Sequence, residues 1–203
     1  MDVAPQSQSG ASGDPAYAYK PALIGAPLQL RLTPTALEWS RGRSAGRIPY
    51  DRIRRLRLSF RPVSMQSQRF VAEVWPASGP KLQIVSVSWR GIAELERQNA
   101  AYTAFITELH RRIAAVGAAP RFEAGTSVVV YWIGWAVFAG IAVALAALTA
   151  RALQVGATMA VLIIAGFAAV FAWQMGTFLR RNRPGTYRAD ALPPWLLPQV
   201  SSD

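Results

Sequence analysis

A long, nearly uncharged stretch towards the C-terminal end dominates the hydrophobic pattern of this chain. Residues 126–179 contain a single side chain that is charged at neutral pH, Arg151. As one helix the stretch would be about 80 Å long, whereas the hydrocarbon core of a bilayer is about 30 Å thick. The pattern therefore predicts a transmembrane hairpin over 124–180, with spans at about 126–150 and 157–179 and a turn that holds Arg151. Two buried helices of a soluble core are the alternative, which the length and low charge of the runs disfavour.

Arginines flank this stretch on both outer sides and are scarce in the predicted turn. They are Arg111, Arg112 and Arg121 before it, and Arg180, Arg181, Arg183 and Arg188 after it. The positive-inside rule then predicts that both termini are cytoplasmic. Aromatic residues near the same two ends fit an interfacial belt: Tyr131, Trp132, Trp135 and Trp173.

Small residues recur every four positions in both predicted spans. They are Ala136, Gly140 and Ala144 in the first, and Ala168, Ala172 and Gly176 in the second. Such spacing lets two helix backbones approach closely in a membrane, so it predicts a packing face between the spans. Alanine-rich spans also show this spacing by chance, and that alternative stays open.

Between residues 27 and 90 the hydrophobic period is two, which indicates short strands. The clearest run has apolar residues on one face of a strand, Leu56, Leu58 and Phe60. The other face carries Arg55, Arg57, Ser59 and Arg61. Turn signals separate the runs, at Thr33-Pro34, at 41–46 and at 76–80. We expect an antiparallel meander with one buried and one solvated face.

From residue 92 the period changes to that of a helix, which Gly117 and Pro120 end. The apolar positions of this predicted 92–116 helix are Ile92, Leu95, Tyr102, Phe105, Ile106, Leu109, Ile113 and Val116. One amphipathic helix after a run of strands needs a sheet to cover. The predicted fold class is therefore α+β, with a curved antiparallel sheet closed by a C-terminal helix and followed by the helical hairpin.

The segment Ile48-Pro49-Tyr50, followed by Ile53, precedes a strand. With the strands and closing helix around it, it resembles the bacterial pleckstrin-homology-like domains that are fused to membrane spans. In many of those relatives the spans precede the domain, whereas here they follow it. The resemblance implies a bent seven-stranded sheet with a closing helix over residues 21–120, a bacterial inner membrane location and no catalytic residues.

The two ends of the chain differ in character. Residues 1–20 are rich in Pro, Ser, Gln, Gly and Ala, and they lack the apolar core of a signal peptide, so a disordered cytoplasmic tail is predicted. Four prolines interrupt the C-terminal tail, 181–203, and exclude a long helix there. Its apolar residues favour packing against the domain or the membrane interface: Leu192, Trp195, Leu196 and Leu197.

The net positive charge of the chain indicates which classes of molecule it is expected to bind. The chain of 203 residues has a net charge of +11 and no cysteine. Residues 20–123 carry 17 basic and 7 acidic side chains, a net charge of +10. A basic domain beside a membrane anchor favours anionic lipid head groups as the partner. Nucleic acid, the other common partner of basic domains, is disfavoured by the anchor, and a genome rich in arginine codons would explain part of the bias.

A cluster of arginines near the centre of the domain is the candidate lipid- or phosphate-binding site: Arg52, Arg54, Arg55, Arg57 and Arg61. Guanidinium forks suit phosphate oxygens, and alternate residues of a strand share a face. The alternative is an ordinary solvated strand face.

No sequence pattern indicates catalysis. There is no phosphate-binding glycine loop, metal-ligand motif or nucleophile elbow, and His110 is interpreted as a surface residue of the helix. We expect neither cofactor nor metal. The predicted function is a non-enzymatic, multi-pass membrane protein that presents a basic domain to anionic lipid or a protein. The alternative is a scaffold or oligomerisation subunit of a membrane complex, recruiting its partner by strand addition.

Overall fold

The computed structural model describes residues 13–62, 68–91 and 94–198. They belong to two compact units, of which the first contains the chain up to Ala124 and again from Gly185. The second unit is Gly125–Pro184. The fold is mixed α+β, as predicted, with antiparallel sheets followed by a pair of long apolar helices.

Four consecutive strands form the first sheet: β1 (Ala16–Tyr19), β2 (Leu28–Leu32), β3 (Ala36–Arg41) and β4 (Ser44–Pro49). Each pairs antiparallel with the next one. Leu28, Leu30 and Leu32 are buried, which is the face that the alternation predicts. The predicted 41–46 loop is too long, because Arg41 and Ser44–Gly46 are paired in the ladder. The turn between β3 and β4 is Gly42-Arg43, where Gly42 adopts φ +60°.

The second sheet begins with β5 (Ile53–Pro62), β6 (Gln68–Pro76) and β7 (Leu82–Val85). A separate pair, β8 (Val87–Gly91) and β9 (Glu94–Arg97), follows. Two later strands, β10 (Arg121–Ala124) and β11 (Gly185–Thr186), join the second sheet, whose order is β11-β10-β5-β6-β7. The β5–β10 pairing is parallel, which the antiparallel meander did not anticipate.

The closing helix α1 (Asn99–Ala115) is shorter than the predicted one because β9 occupies residues 94–97. Leu95 therefore lies in a strand, and Ile92 is outside the described residues. The remaining predicted face is correct from Tyr102 to Ile113 and is buried in the main core. The side chain of Arg112 joins α1 to β2, since its Nη1 donates to the Leu32 carbonyl at 2.8 Å. Val116, predicted on the same face, is exposed.

Both chain ends contribute more to the first unit than the sequence predicted. Residues 16–19 are strand β1, not part of a disordered tail, because Tyr17 and Tyr19 are buried and their hydroxyls donate to backbone carbonyls of β7. Residues 1–12 lie outside the described residues. Phe122, Ala124 and Leu196 also belong to the main core, so this unit extends past residue 120. Leu196 is completely buried, consistent with the predicted packing of the tail, whereas Trp195 is exposed.

The second unit is the helical hairpin of α2 (Val128–Gln154) and α3 (Thr158–Arg181). Their mean hydropathies reach 2.2 and 1.9, and both are long and apolar enough to cross a membrane. Gly156, at φ +68°, provides the turn between them. Arg151 is in the last turn of α2 and not in the connection, because the helix continues to Gln154. A cation there interacts favourably with the C-terminal end of the helix dipole.

The predicted small-residue faces do not form the contact between these helices as expected. A Cβ placed on Gly140 or on Gly176 would meet no atom within 4 Å, so neither glycine lies against the other helix. The rings of Phe138 and Phe171 stack instead, with centroids 5.6 Å apart. A cavity of about 270 Å³ lies beside these rings and is lined in part by Ala168 and Ala172.

Candidate anion-binding surface

Strand β5 places three of the five predicted arginines on one face. Arg55, Arg57 and Arg61 alternate with the buried Leu56, Leu58 and Phe60. The register adds Trp75 and Glu73 of β6, opposite Arg55 and Arg57. It also adds Glu123 of β10, which lies beside Arg57. With Lys81 these residues form what we call the Trp75 surface: Arg55, Arg57, Arg61, Glu73, Trp75, Lys81 and Glu123.

The other two predicted arginines do not belong to this surface. Arg52 lies in the short 3-10 turn before β5, is exposed, and has its Nε 3.9 Å from a carboxylate oxygen of its neighbour Asp51. Arg54 is the extra residue where the β5–β6 register shifts between Ile53 and Arg55, and it too is exposed. This irregularity cannot be read from the hydrophobic pattern, which gave the five arginines as one cluster.

The indole of Trp75 holds three cations over its ring. The Arg55 guanidinium carbon is 4.0 Å from the ring centroid, that of Arg57 is 5.3 Å away, and the Lys81 Nζ is 5.6 Å away. Cation–π attraction orients these side chains and keeps their charges close together. Trp75 and Lys81 were not among the residues predicted for this site, although Trp75 follows Val74 at an outward-facing position of its strand.

Glu123 neutralises part of this charge. Arg57 donates to it from Nε at 2.9 Å and also from Nη2, and Arg55 Nη1 lies 3.8 Å from its other oxygen. The side chains of Arg57 and Glu123 are only 17% and 16% exposed, so this pair is largely an internal link between β5 and β10. Charge-assisted bonds of this kind fix the orientation of a strand pair.

Glu73 pairs with two basic side chains of the Trp75 surface, Lys81 and Arg61. It is buried, accepts a hydrogen bond from Lys81 Nζ at 3.0 Å, and lies 3.4 Å from Arg61 Nη2. The side chains of Lys81 and Arg61 remain about half exposed, at 53% and 52%. Four cations against two carboxylates leave the surface with a net charge of +2, carried mainly by groups that solvent or a ligand can reach.

His110 is not a surface residue, contrary to the prediction. It is completely buried, its Nδ1 donates to the Ile106 carbonyl at 2.7 Å, and its Nε2 accepts from the Tyr187 hydroxyl at 2.9 Å. Burial lowers the pKa of His110 to about 4. The ring stacks on Phe122 at 5.2 Å. The prediction failed because β10 and the residues after the hairpin cover this face of α1, and neither was assigned to the domain.

Comparison with protein-family models, with curated proteins and with solved structures finds no match for this chain. The pleckstrin-homology-like resemblance therefore remains a prediction from the sequence.

Proposed function

We propose that this chain is a non-enzymatic integral membrane protein whose first unit, a pleckstrin-homology-like domain, binds anionic lipid head groups through the Trp75 surface. The observation that carries the proposal is the aromatic ring with three cations over it, of which Lys81 is half exposed, as is the neighbouring Arg61. Guanidinium and ammonium groups bind phosphate oxygens, and an indole suits the interface between head groups and acyl chains. Helices α2 and α3 would cross a bacterial inner membrane.

The orientation follows from the same proposal. Both termini, and with them the first unit, would lie on the cytoplasmic side, where the leaflet is anionic. Each basic side chain near such a surface contributes about 1 kcal/mol of attraction. The binding would therefore weaken steeply with salt, because exposed charges are screened over about 10 Å at 0.1 M ionic strength.

Vesicle sedimentation tests the proposal. The full chain, held in nanodiscs of neutral lipid, is mixed with phosphatidylglycerol or phosphatidylcholine vesicles at low and high salt. We expect binding to the anionic vesicles alone, lost at high salt and reduced about tenfold in the W75A/K81Q double variant. R43Q, which removes a charge from the exposed β3–β4 turn, is the matched control. Equal binding to both lipids, or none at low salt, would refute the proposal.

A scaffold function is the second candidate, and strand β4 favours it. Among the residues that the structure describes, this strand is at the edge of the first sheet and pairs with β3 alone. A partner could add a strand along Ser44–Pro49. Cross-linking in cells followed by mass spectrometry separates the two candidates. A stoichiometric protein cross-linked to β4 supports the scaffold, whereas cross-links to lipid alone support the first proposal.

A further inference from the structure

Arg69, at the start of β6, is a basic residue that the first unit leaves without a counter-charge. Among the described residues no carboxylate pairs with it, and its Nε is buried with no hydrogen-bond partner. Its cross-strand neighbour is Arg61, a second cation. Like charges directly opposite one another destabilise a strand pair, and an unsatisfied buried donor adds a further cost. An anion beside the guanidinium would relieve the repulsion.

The surroundings of Arg69 are positive as well. Both Arg69 and Arg41 are close enough to Tyr19 to favour its ionised form, against the burial that raises the pKa of this phenol to about 12. The Tyr19 hydroxyl itself is occupied, because it donates to the Gln83 carbonyl. It therefore cannot serve as the acceptor that Arg69 Nε lacks. The positive local field favours an oxygen that carries negative charge beside the guanidinium.

A crevice beside Arg69 provides the space for such an oxygen. It is lined by Pro21, Arg69, Val85, Val87, Trp89 and Leu95, which we call the Arg69 crevice. Its interior of about 20 Å³ holds one water-sized group. The walls other than Arg69 are apolar, so they suit a carbon stem more than a second charged group. One oxygen of an anion would enter, and the rest of the ligand would lie along the apolar walls.

We infer that the Arg69 crevice is an oxyanion-binding site, separate from the Trp75 surface, in which the Arg69 guanidinium donates to one oxygen of a phosphate or carboxylate. The inference does not rest on lipid binding by the Trp75 surface, since none of the six lining residues belongs to that surface. The same chemistry is available from a free anion or from the head group of an amphiphile with a short apolar stem.

Calorimetric titration of the full chain in a non-ionic detergent tests this inference, at constant ionic strength with chloride as the reference anion. The probes are inorganic phosphate, hexanoate, dihexanoyl phosphatidic acid and, as the neutral control, dihexanoyl phosphatidylcholine. Binding of phosphate alone identifies a free anion as the source. Binding only of the anionic amphiphiles identifies a head group. Either result supports the site if the affinity falls about tenfold or more in R69M, which keeps the stem and removes the donors.

Two further variants make the test specific. R69K keeps the charge without the planar guanidinium group and should lose most of the affinity, whereas R43Q should bind as the wild type does. Thermal unfolding in chloride verifies that R69M is folded, and removal of an unsatisfied donor should leave it at least as stable as the wild type. Binding by R69M or R69K equal to that of the wild type, or no binding of any probe, would show that the crevice holds water only and would overturn the inference.

Discussion

At the scale of single residues, His110 shows how a polar group can be buried without loss. Both ring nitrogens have partners, and the bond to the Ile106 carbonyl requires that Nδ1 carries the proton. Nε2 is then the acceptor for Tyr187, so the neutral ring satisfies both bonds. A protonated ring could not accept from Tyr187 and would be a buried charge with no carboxylate beside it.

This arrangement predicts a stability that depends on pH. The folded pKa of about 4 is below the ordinary value of 6.5, so the unfolded state binds more protons between these two pH values. Stability is therefore complete above pH 6.5 and falls as the pH decreases towards 4, by about 3 kcal/mol. Pulse proteolysis in urea, across this pH range, measures the loss. In H110Q the decrease in the free energy of unfolding between pH 6.5 and pH 4 should lose the part that His110 causes. An unchanged dependence on pH would contradict the low folded pKa of His110.

Gly125 occupies a position that admits no side chain. It has φ +75°, and a Cβ there would overlap the carbonyl oxygens of Asn182 and Arg183. The amide of Thr126 donates to the same Asn182 oxygen at 3.1 Å, which holds the two segments together. Backbone atoms cannot move aside as a flexible side chain can, so G125A must separate these segments.

We expect G125A to destabilise the helical hairpin by roughly 1–3 kcal/mol. The matched control is G140A, because a Cβ at Gly140 meets nothing within 4 Å. Gly140 is inside α2, so alanine there should be neutral or stabilise by up to about 1 kcal/mol. Thermal unfolding in detergent micelles compares the two variants, and equal midpoints would show that the contact at Gly125 has no energetic weight.

At the scale of elements, β5 was predictable from the sequence, whereas β10 and β11 were not. The long alternation in β5 identified the basic face correctly, because a period of two sustained over most of a strand is typical of a sheet with one buried face. Strands as short as β10 and β11 carry no comparable signal, and β10 was taken as the link to the first span. Glu123 was therefore missed as the partner of Arg57, and the covering of His110 was missed with it.

The same pairing makes a deletion testable. Ala124 and Gly185 are partners at one end of the β10–β11 ladder, so residues 125–184 leave and re-enter the sheet at neighbouring positions. An Asn-Gly turn in place of these residues should join the strands directly. We expect this variant to be soluble and folded, with dispersed amide resonances. A variant that ends at Ala124 is the control and should not fold, because it lacks the buried Leu196; equal spectra for both would contradict the role of the tail.

At the scale of the whole molecule, topology is the property most open to test. Reporter fusions at position 12, at Gly156 and at position 201 should read cytoplasmic, periplasmic and cytoplasmic, because seven arginines flank the apolar stretch 126–179, which itself contains Arg151 alone. Replacement of Arg180, Arg181 and Arg183 by glutamine should weaken the retention of the C-terminal end. A periplasmic position 201 in the wild type would mean that only one helix crosses.

The return of the chain to its first unit has a consequence for biosynthesis. Tyr187 and Leu196 emerge from the ribosome after both apolar helices, yet they complete a core most of whose members were made earlier. With the topology proposed above, the first unit can finish folding only when α3 has crossed back. A chain inserted the wrong way would retain an open core and an unpaired His110, which is the kind of surface that proteases recognise. Completion of the first unit's core thus depends on correct insertion of both helices.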